Sequence, residues 1–266
     1  MRVFISADIE GIATTAVWDQ TRQQGGYDYE AARRQMSLEV AAACEGALEA
    51  GADYVRVKDS HGPMTNIIPE LLPKEVELSR SKNGSPYGMV AGVEEGFDAA
   101  MYVGWHAAAG RDGNPLSHTH NTRTVYIKLN GEKMSEFMLH SWACAGVGCP
   151  SVLLTGDQML CDDSRHLHPM LITVPVKRGY GGLVTCIHPQ LACERIKQAA
   201  YDALKQPLDK ALCVLPDHYD LEICFKEHVQ ATKSSFFPGF SKKDDNTIIM
   251  STDKLWDVLV ALAWVL

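Results

Sequence analysis

The segment RVFISADIEG, residues 2–11, sets a pattern that recurs along the chain: an apolar run that predicts a buried strand leads directly into chemically active side chains. In this first case the side chains are the carboxylates of Asp8 and Glu10. Two later apolar runs each lead into a histidine: residues 54–57 into His61 and residues 99–103 into His106. Three predicted strands therefore end in residue types that commonly bind metal ions.

Helical patterns lie between these strands. The longest spans about residues 27–49, is rich in Ala, Glu, Arg and Met, and stops at Gly51. Strands that alternate with helices predict an α/β fold, with a mostly parallel central sheet flanked by helices. We further predict an α/β metal-binding core domain over residues 1–170 and, because the later strands are shorter, a smaller C-terminal α+β subdomain over residues 171–266. The final helix of this subdomain is apolar and available to pack back on the core.

The bulk composition excludes several functional classes. The 266 residues carry a formal net charge of −8 and no basic stripe, which argues against a nucleic-acid partner. The apolar stretch at residues 255–266 is too short to cross a bilayer, and the first residues lack a signal-peptide pattern, so no membrane partner is expected. None of the eight cysteines forms a C-x-x-C pair, which predicts reduced thiols in a cytoplasmic protein.

The strand-end side chains predict a metal site. The carboxyl ends of parallel strands line the ligand crevice of an open α/β sheet, so these side chains are expected to converge there. Asp8 and Glu10 lie two residues apart and point to the same side of an extended segment, where a divalent cation removes their mutual repulsion. With the imidazoles of His61 and His106, the mixed nitrogen and oxygen donors suit zinc, and manganese and cobalt accept the same set. About five such ligands with one shared carboxylate are enough for two ions ~3.5–4 Å apart.

Each of these residues has a purely structural alternative when it is taken alone. The alternatives are a turn cap for Asp8, a solvated carboxylate for Glu10, a turn histidine for His61 and a packed ring for His106. The metal prediction depends on their joint occurrence at strand ends. Asp59, just before His61, is a candidate hydrogen-bond partner that orients the His61 ring.

Five motifs occur along the chain in the order ISADIEGI, KDSHGPMTN, YVGWHA, LSHTH and NGEKMSEF. In this order and at these intervals they resemble the motifs of the bacterial D-aminopeptidase family, self-compartmentalising dinuclear zinc peptidases. The resemblance spans nearly the whole chain and extends to the weaker segments YEAARRQM, TGD and FFPGF. Five motifs in register make it highly specific.

The resemblance implies five metal ligands: Asp8, Glu10, His61, His106 and Glu136. Asp8 is the implied bridge between two zinc ions per subunit, and His118 matches the catalytic histidine of the family. Without the family, Glu136 looks like an ordinary acid in the first turn of a helix, where a carboxylate is favourable in any case. The resemblance also implies a ring-like homodecamer that encloses its active sites and admits short peptides.

The pair His118-Thr119-His120 also resembles the paired histidines of amidohydrolase-type zinc sites. That fold needs an eight-fold barrel with the pair after its first strand, whereas this pair lies in mid-chain. We therefore assign His120 a surface or supporting position. His140, four residues after Glu136, shares its helix face, and a packed or supporting position is expected for it too.

The predicted function is hydrolysis of the N-terminal residue of short, D-amino-acid-containing peptides by water activated at a dinuclear zinc site. His118 is expected to shuttle a proton, stabilise the oxyanion or act as a nucleophile. Two alternatives stay open at this point. One is a different metal-dependent amidase or deacetylase on the same scaffold, and the other is a non-catalytic small-molecule binding protein.

Overall fold

The structure is a computed structural model that describes residues 1–168 and 170–266. The strands and α-helices in these ranges follow one another as β1 (Arg2–Ala7), α1 (Tyr29–Glu49), β2 (Tyr54–Asp59), β3 (Glu77–Ser79), β4 (Ala99–Trp105), β5 (Thr124–Leu129), β6 (Glu132–Lys133), α2 (Glu136–Gly146), β7 (Ser151–Asp157), α3 (Gln158–Ser164), β8 (Ile172–Tyr180), β9 (Leu183–Cys186), α4 (Pro189–Leu204), β10 (Tyr219–Phe225), α5 (His228–Ser234), β11 (Ser241–Lys242), β12 (Thr247–Thr252) and α6 (Leu255–Val265). Within them, no helix combines the length and the apolar character needed to cross a membrane.

A seven-stranded sheet in the order β3-β2-β1-β4-β7-β8-β9 forms the centre of the fold. Neighbouring strands from β3 to β8 are parallel, and only β9 runs antiparallel to its neighbour. The apolar run of β1 lies inside the sheet with β2 on one side and β4 on the other. The predicted α/β fold with a mostly parallel sheet and flanking helices is confirmed.

Both faces of this sheet are covered, which explains why its central strands β1, β4 and β7 are almost wholly buried. Val3 and Ile5 of β1 face a core built with α1 and α4, and these two helices pack against each other. Phe4, which points to the other side of β1, belongs to a second core with residues of α2 and α6. Alternate residues of one strand therefore serve two different helix layers.

The second core also contains a five-stranded sheet in the order β11-β12-β10-β5-β6. All of its neighbouring strands are antiparallel. Its strands β5 and β6 precede residue 170, whereas β8 and β9 of the large sheet follow it. Each sheet thus takes strands from both sides of residue 170, and the boundary predicted there does not coincide with the division between the sheets.

The loop that follows β1 lies directly on the end of β4. The main-chain nitrogen of Asp8 donates to Val103 O at 2.8 Å, and the nitrogen of Gly11 donates to Gly104 O at 2.7 Å. A Cβ atom on Gly11 would lie 1.9 Å from the carbonyl oxygen of Trp105 and 2.5 Å from the carbonyl carbon of Gly104. Glycine is therefore required at position 11 by the close approach of two backbone segments.

Replacement Gly11→Ala is expected to destabilise the protein by about 1–3 kcal/mol, because the added methyl group collides with backbone atoms that cannot rotate away. Urea unfolding of the metal-stripped protein measures the change in midpoint. Gly182→Ala is a matched control, since a Cβ atom at position 182 meets no atom within 4 Å. Equal midpoints for the two variants would contradict the packing argument.

Candidate metal centre

Four of the predicted ligands lie in loops at one edge of the large sheet. Asp8 and Glu10 follow β1, His61 follows β2 by two residues, and His106 follows β4 directly. Because β1 lies between β2 and β4, the three loops are neighbours. The parallel sheet therefore brings together side chains that are up to 98 positions apart in the chain.

Asp8 lies between the two histidines. Its Oδ1 is 3.3 Å from Nδ1 of His61, and its Oδ2 is 3.4 Å from Nε2 of His106. Glu10 Oε2 lies 3.0 Å from the same nitrogen of His61. On the other side, Glu136 Oε2 lies 3.5 Å from Nε2 of His106. The five side chains form one continuous cluster in which Asp8 is central.

Glu136 enters the cluster from a different layer of the fold, at the start of α2. The hydroxyl of Ser135 accepts a hydrogen bond from Met138 N at 3.1 Å and caps the helix, which fixes Glu136 in the first turn. Its Oε1 accepts a hydrogen bond from the main-chain nitrogen of His120 at 2.6 Å. His120 adopts a left-handed backbone conformation with φ 61°, and in it the amide points at the carboxylate.

His118 lies beside this cluster. Its Nε2 is 3.7 Å from Oε1 of Glu136, and its ring stacks on that of His106 with 4.3 Å between the centroids. The ring of Trp18 contacts it edge-on at 5.4 Å. Burial and the neighbouring His106 lower the pKa of His118 below its usual value. The structure thus places every sequence-predicted site residue except Asp59 in one cluster.

Each of the three histidines forms a hydrogen bond between one ring nitrogen and a main-chain carbonyl oxygen. The pairs are His61 Nε2 with Thr21 O at 2.7 Å, His106 Nδ1 with Ala107 O at 3.0 Å, and His118 Nδ1 with Leu116 O at 2.9 Å. A ring nitrogen that donates to a carbonyl leaves the other nitrogen as the acceptor. In every case that other nitrogen faces the carboxylates, which is the arrangement metal-binding histidines require.

The donor set fits a cation. Two groups each have ligand atoms that lie within 4.8 Å of one another: Asp8, Glu10 and His106, and His106, His118 and Glu136. Oε2 of Glu10 and Nε2 of His106 are buried and make no hydrogen bond of acceptable geometry within the described part of the chain. Buried polar atoms without partners are destabilising, and coordination by a metal ion satisfies them.

The electrostatics of the cluster lead to the same conclusion. Burial and the Glu10 carboxylate raise the pKa of Asp8 to about 7. Burial alone would lower the pKa of His106, but the Glu136 and Asp8 carboxylates outweigh it and raise that pKa to about 10. The same balance, with Glu10 as the main carboxylate, raises the pKa of His61 well above its usual value. Protons on the imidazoles thus offset the carboxylate charge, and a bound cation would take their place.

The Asp59 carboxylate forms no hydrogen bond with the His61 ring in the described part of the chain, so any orienting effect on His61 acts through the loop between them. The carboxylate accepts hydrogen bonds from the main-chain nitrogens of Asn66, at 2.5 Å, and Ile67, at 2.8 Å. The Asn66 side chain in turn bonds both Asp59 and the carbonyl of His61, each at 2.8 Å. Asp59 therefore holds the loop that carries His61, because two buried amides of that loop need an acceptor.

His140 packs behind the cluster. Its Nδ1 donates to the carbonyl of Glu136 at 2.8 Å, and its Nε2 accepts from the nitrogen of Met89 at 3.3 Å. Burial lowers the pKa of His140 to about 3, so the ring is neutral and can play both roles. The i to i+4 spacing after Glu136 is the only sequence signal for this contact.

A cleft of about 810 Å³ opens onto the cluster. One part of its wall is apolar and comes from α6 and the residue after it: Leu259, Leu262, Ala263 and Leu266. Another part is polar: Arg22, Gln23, Gln24, Lys82 and Asn83. The cluster is thus accessible to a small ligand with both apolar and polar groups.

Comparison with known proteins identifies the family. A curated relative, the D-aminopeptidase of Bacillus subtilis (strain 168), is 27% identical over 250 residues, which cover 94% of this chain and 90% of the relative. A solved structure, described as the Zn-dependent D-aminopeptidase DppA from Bacillus subtilis, a self-compartmentalizing protease, aligns with a TM-score of 0.91 at 25% identity. That alignment covers 100% of this chain and 96% of the other. The family model for D-aminopeptidase matches residues 1–264, and the chain therefore belongs to the D-aminopeptidase family.

Proposed function

We propose that the protein is a zinc-dependent aminopeptidase that removes the N-terminal residue of short peptides containing D-amino acids. The observation that carries this proposal is the convergence of three buried carboxylates and three histidines on an open cleft, in a chain that belongs to the D-aminopeptidase family. A related structure of the same fold is described as Zn-dependent.

In the proposed site, two zinc ions per subunit would be held by Asp8, Glu10, His61, His106 and Glu136. One oxygen of Asp8 faces His61 and the other faces His106, which supports a shared carboxylate between two ions. Glu10 completes the His61 side and Glu136 the His106 side. Manganese and cobalt accept the same nitrogen and oxygen donors, so metal analysis is part of the test below.

The bound ions supply Lewis acidity for the scissile carbonyl and lower the pKa of water. His118 supplies the proton transfer. Because its Nδ1 is used on the carbonyl of Leu116, its Nε2 is the free acceptor, and this atom faces the site next to Glu136. Nε2 of His118 accepts a proton from the attacking water and then donates it to the departing amine. Trp18 and His106 hold the ring on two sides, so little rotation is possible.

We also propose a cytoplasmic homo-oligomer, a decamer by family resemblance. The related structure is described as self-compartmentalizing. Large apolar side chains on this chain are exposed, with Trp264 76% and Phe236 83% accessible, and burial between subunits would remove them from water. All eight cysteines are free, which suits a reducing compartment.

The oligomer is tested by the mass of the purified protein. Light scattering on the peak that elutes from a size-exclusion column is expected to give ten times the 29.3 kDa subunit mass. Trp264→Ser, at an exposed apolar position, is expected to shift the mass toward smaller species. Lys74→Ser serves as the control, because its charged side chain is 92% exposed. A monomeric parent protein would contradict the assembly.

Hydrolysis of D-Ala-D-Ala, L-Ala-L-Ala and Gly-Gly tests the reaction itself. Activity is expected to be highest on the D-peptide, to disappear with a chelator and to return with zinc, because the proposed metal ions supply the Lewis acidity for the scissile carbonyl. His61→Ala is expected to abolish turnover and reduce the zinc content. His166→Ala is the control, since His166 is exposed and pairs with Glu132. Protein that holds two zinc ions per subunit but cleaves no peptide would favour the amidase or deacetylase alternative.

The role of His118 is tested separately. His118→Ala is expected to lower kcat about 10²–10⁴-fold with an unchanged zinc content, because a proton-transfer group is lost while the ligands remain. Zinc content measured beside kcat distinguishes this role from ligation. A variant that loses one zinc ion would make His118 a metal ligand instead.

A further inference from the structure

A buried lysine lies behind the metal centre. Lys177, on β8, is 4% exposed and forms no ion pair within the described part of the chain. Its Nζ donates to the main-chain carbonyl of Glu10 and, at 2.5 Å, to that of Thr15. A desolvated ammonium group is costly in a protein interior, so its placement on two carbonyls calls for a functional reason.

These two carbonyls belong to the segment of residues 8–15, here called the ligand loop, which carries Asp8 and Glu10. Two main-chain donors of the ligand loop have partners outside it: the nitrogen of Gly11 donates to Gly104 O of β4, and the nitrogen of Ala13 donates to Oε1 of Glu39 from α1 at 3.1 Å. The carbonyls of Glu10 and Thr15 accept hydrogen bonds from side chains outside the loop, and Lys177 of β8 donates to both. Lys177 thus supplies a donor to two acceptors of the ligand loop.

A second side chain shares the Glu10 carbonyl. Nδ2 of Asn114 donates to it at 3.0 Å and also lies 3.2 Å from Oδ2 of Asp157. The same oxygen of Asp157 accepts a hydrogen bond from the main-chain nitrogen of Ala107 at 2.8 Å, and Ala107 is the residue after His106. Oδ1 of Asn114 accepts a hydrogen bond from the main-chain nitrogen of Leu116, which lies two residues before His118. The Glu10 carbonyl is therefore the point where Lys177 joins a network that spans three loops of the site.

We infer that Lys177 is a positioning residue for the metal centre: its ammonium group fixes the Glu10 carbonyl and thereby sets where the carboxylates of the ligand loop lie. The inference rests on the proposed function, since it assigns Lys177 to the same zinc site. Without Lys177, the carbonyl of Thr15 loses the hydrogen-bond partner described for it, and that of Glu10 retains only Asn114. The ligand loop would then relax away from the geometry that a metal ion demands.

The sign of the effect separates positioning from simple electrostatics. A positive charge near the site repels a bound cation, so removal of the charge alone would strengthen zinc binding. Removal of a hydrogen-bonded support weakens it, typically about 10–100-fold for groups that hold metal ligands. Weaker zinc binding after loss of Lys177 is therefore the signature of positioning.

The experiment compares three variants with the full-length parent. Lys177→Met keeps the length of the side chain and removes both the charge and the donors. Lys177→Gln removes the charge and keeps an amide donor. Arg178→Met removes a cation from the next position of the same strand, where the side chain is exposed. Zinc affinity is measured by competition with a chromogenic chelator, and kcat and KM are measured on D-Ala-D-Ala.

We expect Lys177→Met to bind zinc about 10–100-fold more weakly, with a larger fall in kcat than rise in KM. Lys177→Gln should recover part of the affinity, and Arg178→Met should stay within about twofold of the parent. Zinc affinity of Lys177→Met equal to or above that of the parent would overturn the inference. So would Lys177→Gln no better than Lys177→Met, or an equal loss in Arg178→Met.

Two controls keep the result decisive. If Lys177→Met does not fold, the comparison of Lys177→Gln with Arg178→Met replaces it, with the same expected order of zinc affinity. If the parent binds zinc but cleaves no peptide, the proposed aminopeptidase function fails, while the zinc affinities still decide the role of Lys177.

Discussion

The repulsion between three buried carboxylates is the constraint on which the rest of the structure depends. Asp8, Glu10 and Glu136 are each at most 3% exposed and lie around two imidazoles. Such a cluster is unstable unless positive charge enters it, as protons on the histidines or as metal ions. The large sheet, the helix cap at Ser135 and the main-chain contacts of the histidine rings hold the carboxylates in place despite this repulsion.

The sequence was sufficient to predict the α/β class, because the central strands β1, β4 and β7 are largely apolar runs and such a pattern is a local property of the sequence. It was insufficient for the partition of the chain between the sheets. β5 pairs with β10, so Leu129 lies opposite Leu221, and no pattern within either strand identifies such a distant partner. The boundary predicted at residue 170 followed strand length, whereas sheet membership follows long-range pairing.

The site, too, could be predicted only in part from the sequence. Asp8, Glu10, His61 and His106 could be found because they follow strands of one parallel sheet. Glu136 enters from a helix of another layer, and only the family resemblance pointed to it. The partners of the histidine rings are main-chain carbonyls, and a carbonyl such as that of Thr21 has no sequence signature. Lys177 had no sequence signal, because it stands next to Arg178 after the apolar part of its strand, where charged residues are common.

The position of β8 in the chain has a consequence for biosynthesis. All of the proposed metal ligands lie within the first 136 residues, but the lysine that supports the ligand loop comes from residue 177, on a strand beyond β7 in the sheet. A nascent chain that ends shortly after Glu136 therefore contains every proposed ligand and the strands β1, β2 and β4 that carry four of them, but it lacks β7 and β8. Because Lys177 on β8 donates to the carbonyl of Thr15, the hydrogen bonding described for the ligand loop is complete only once residue 177 has been synthesised and β8 has joined the sheet.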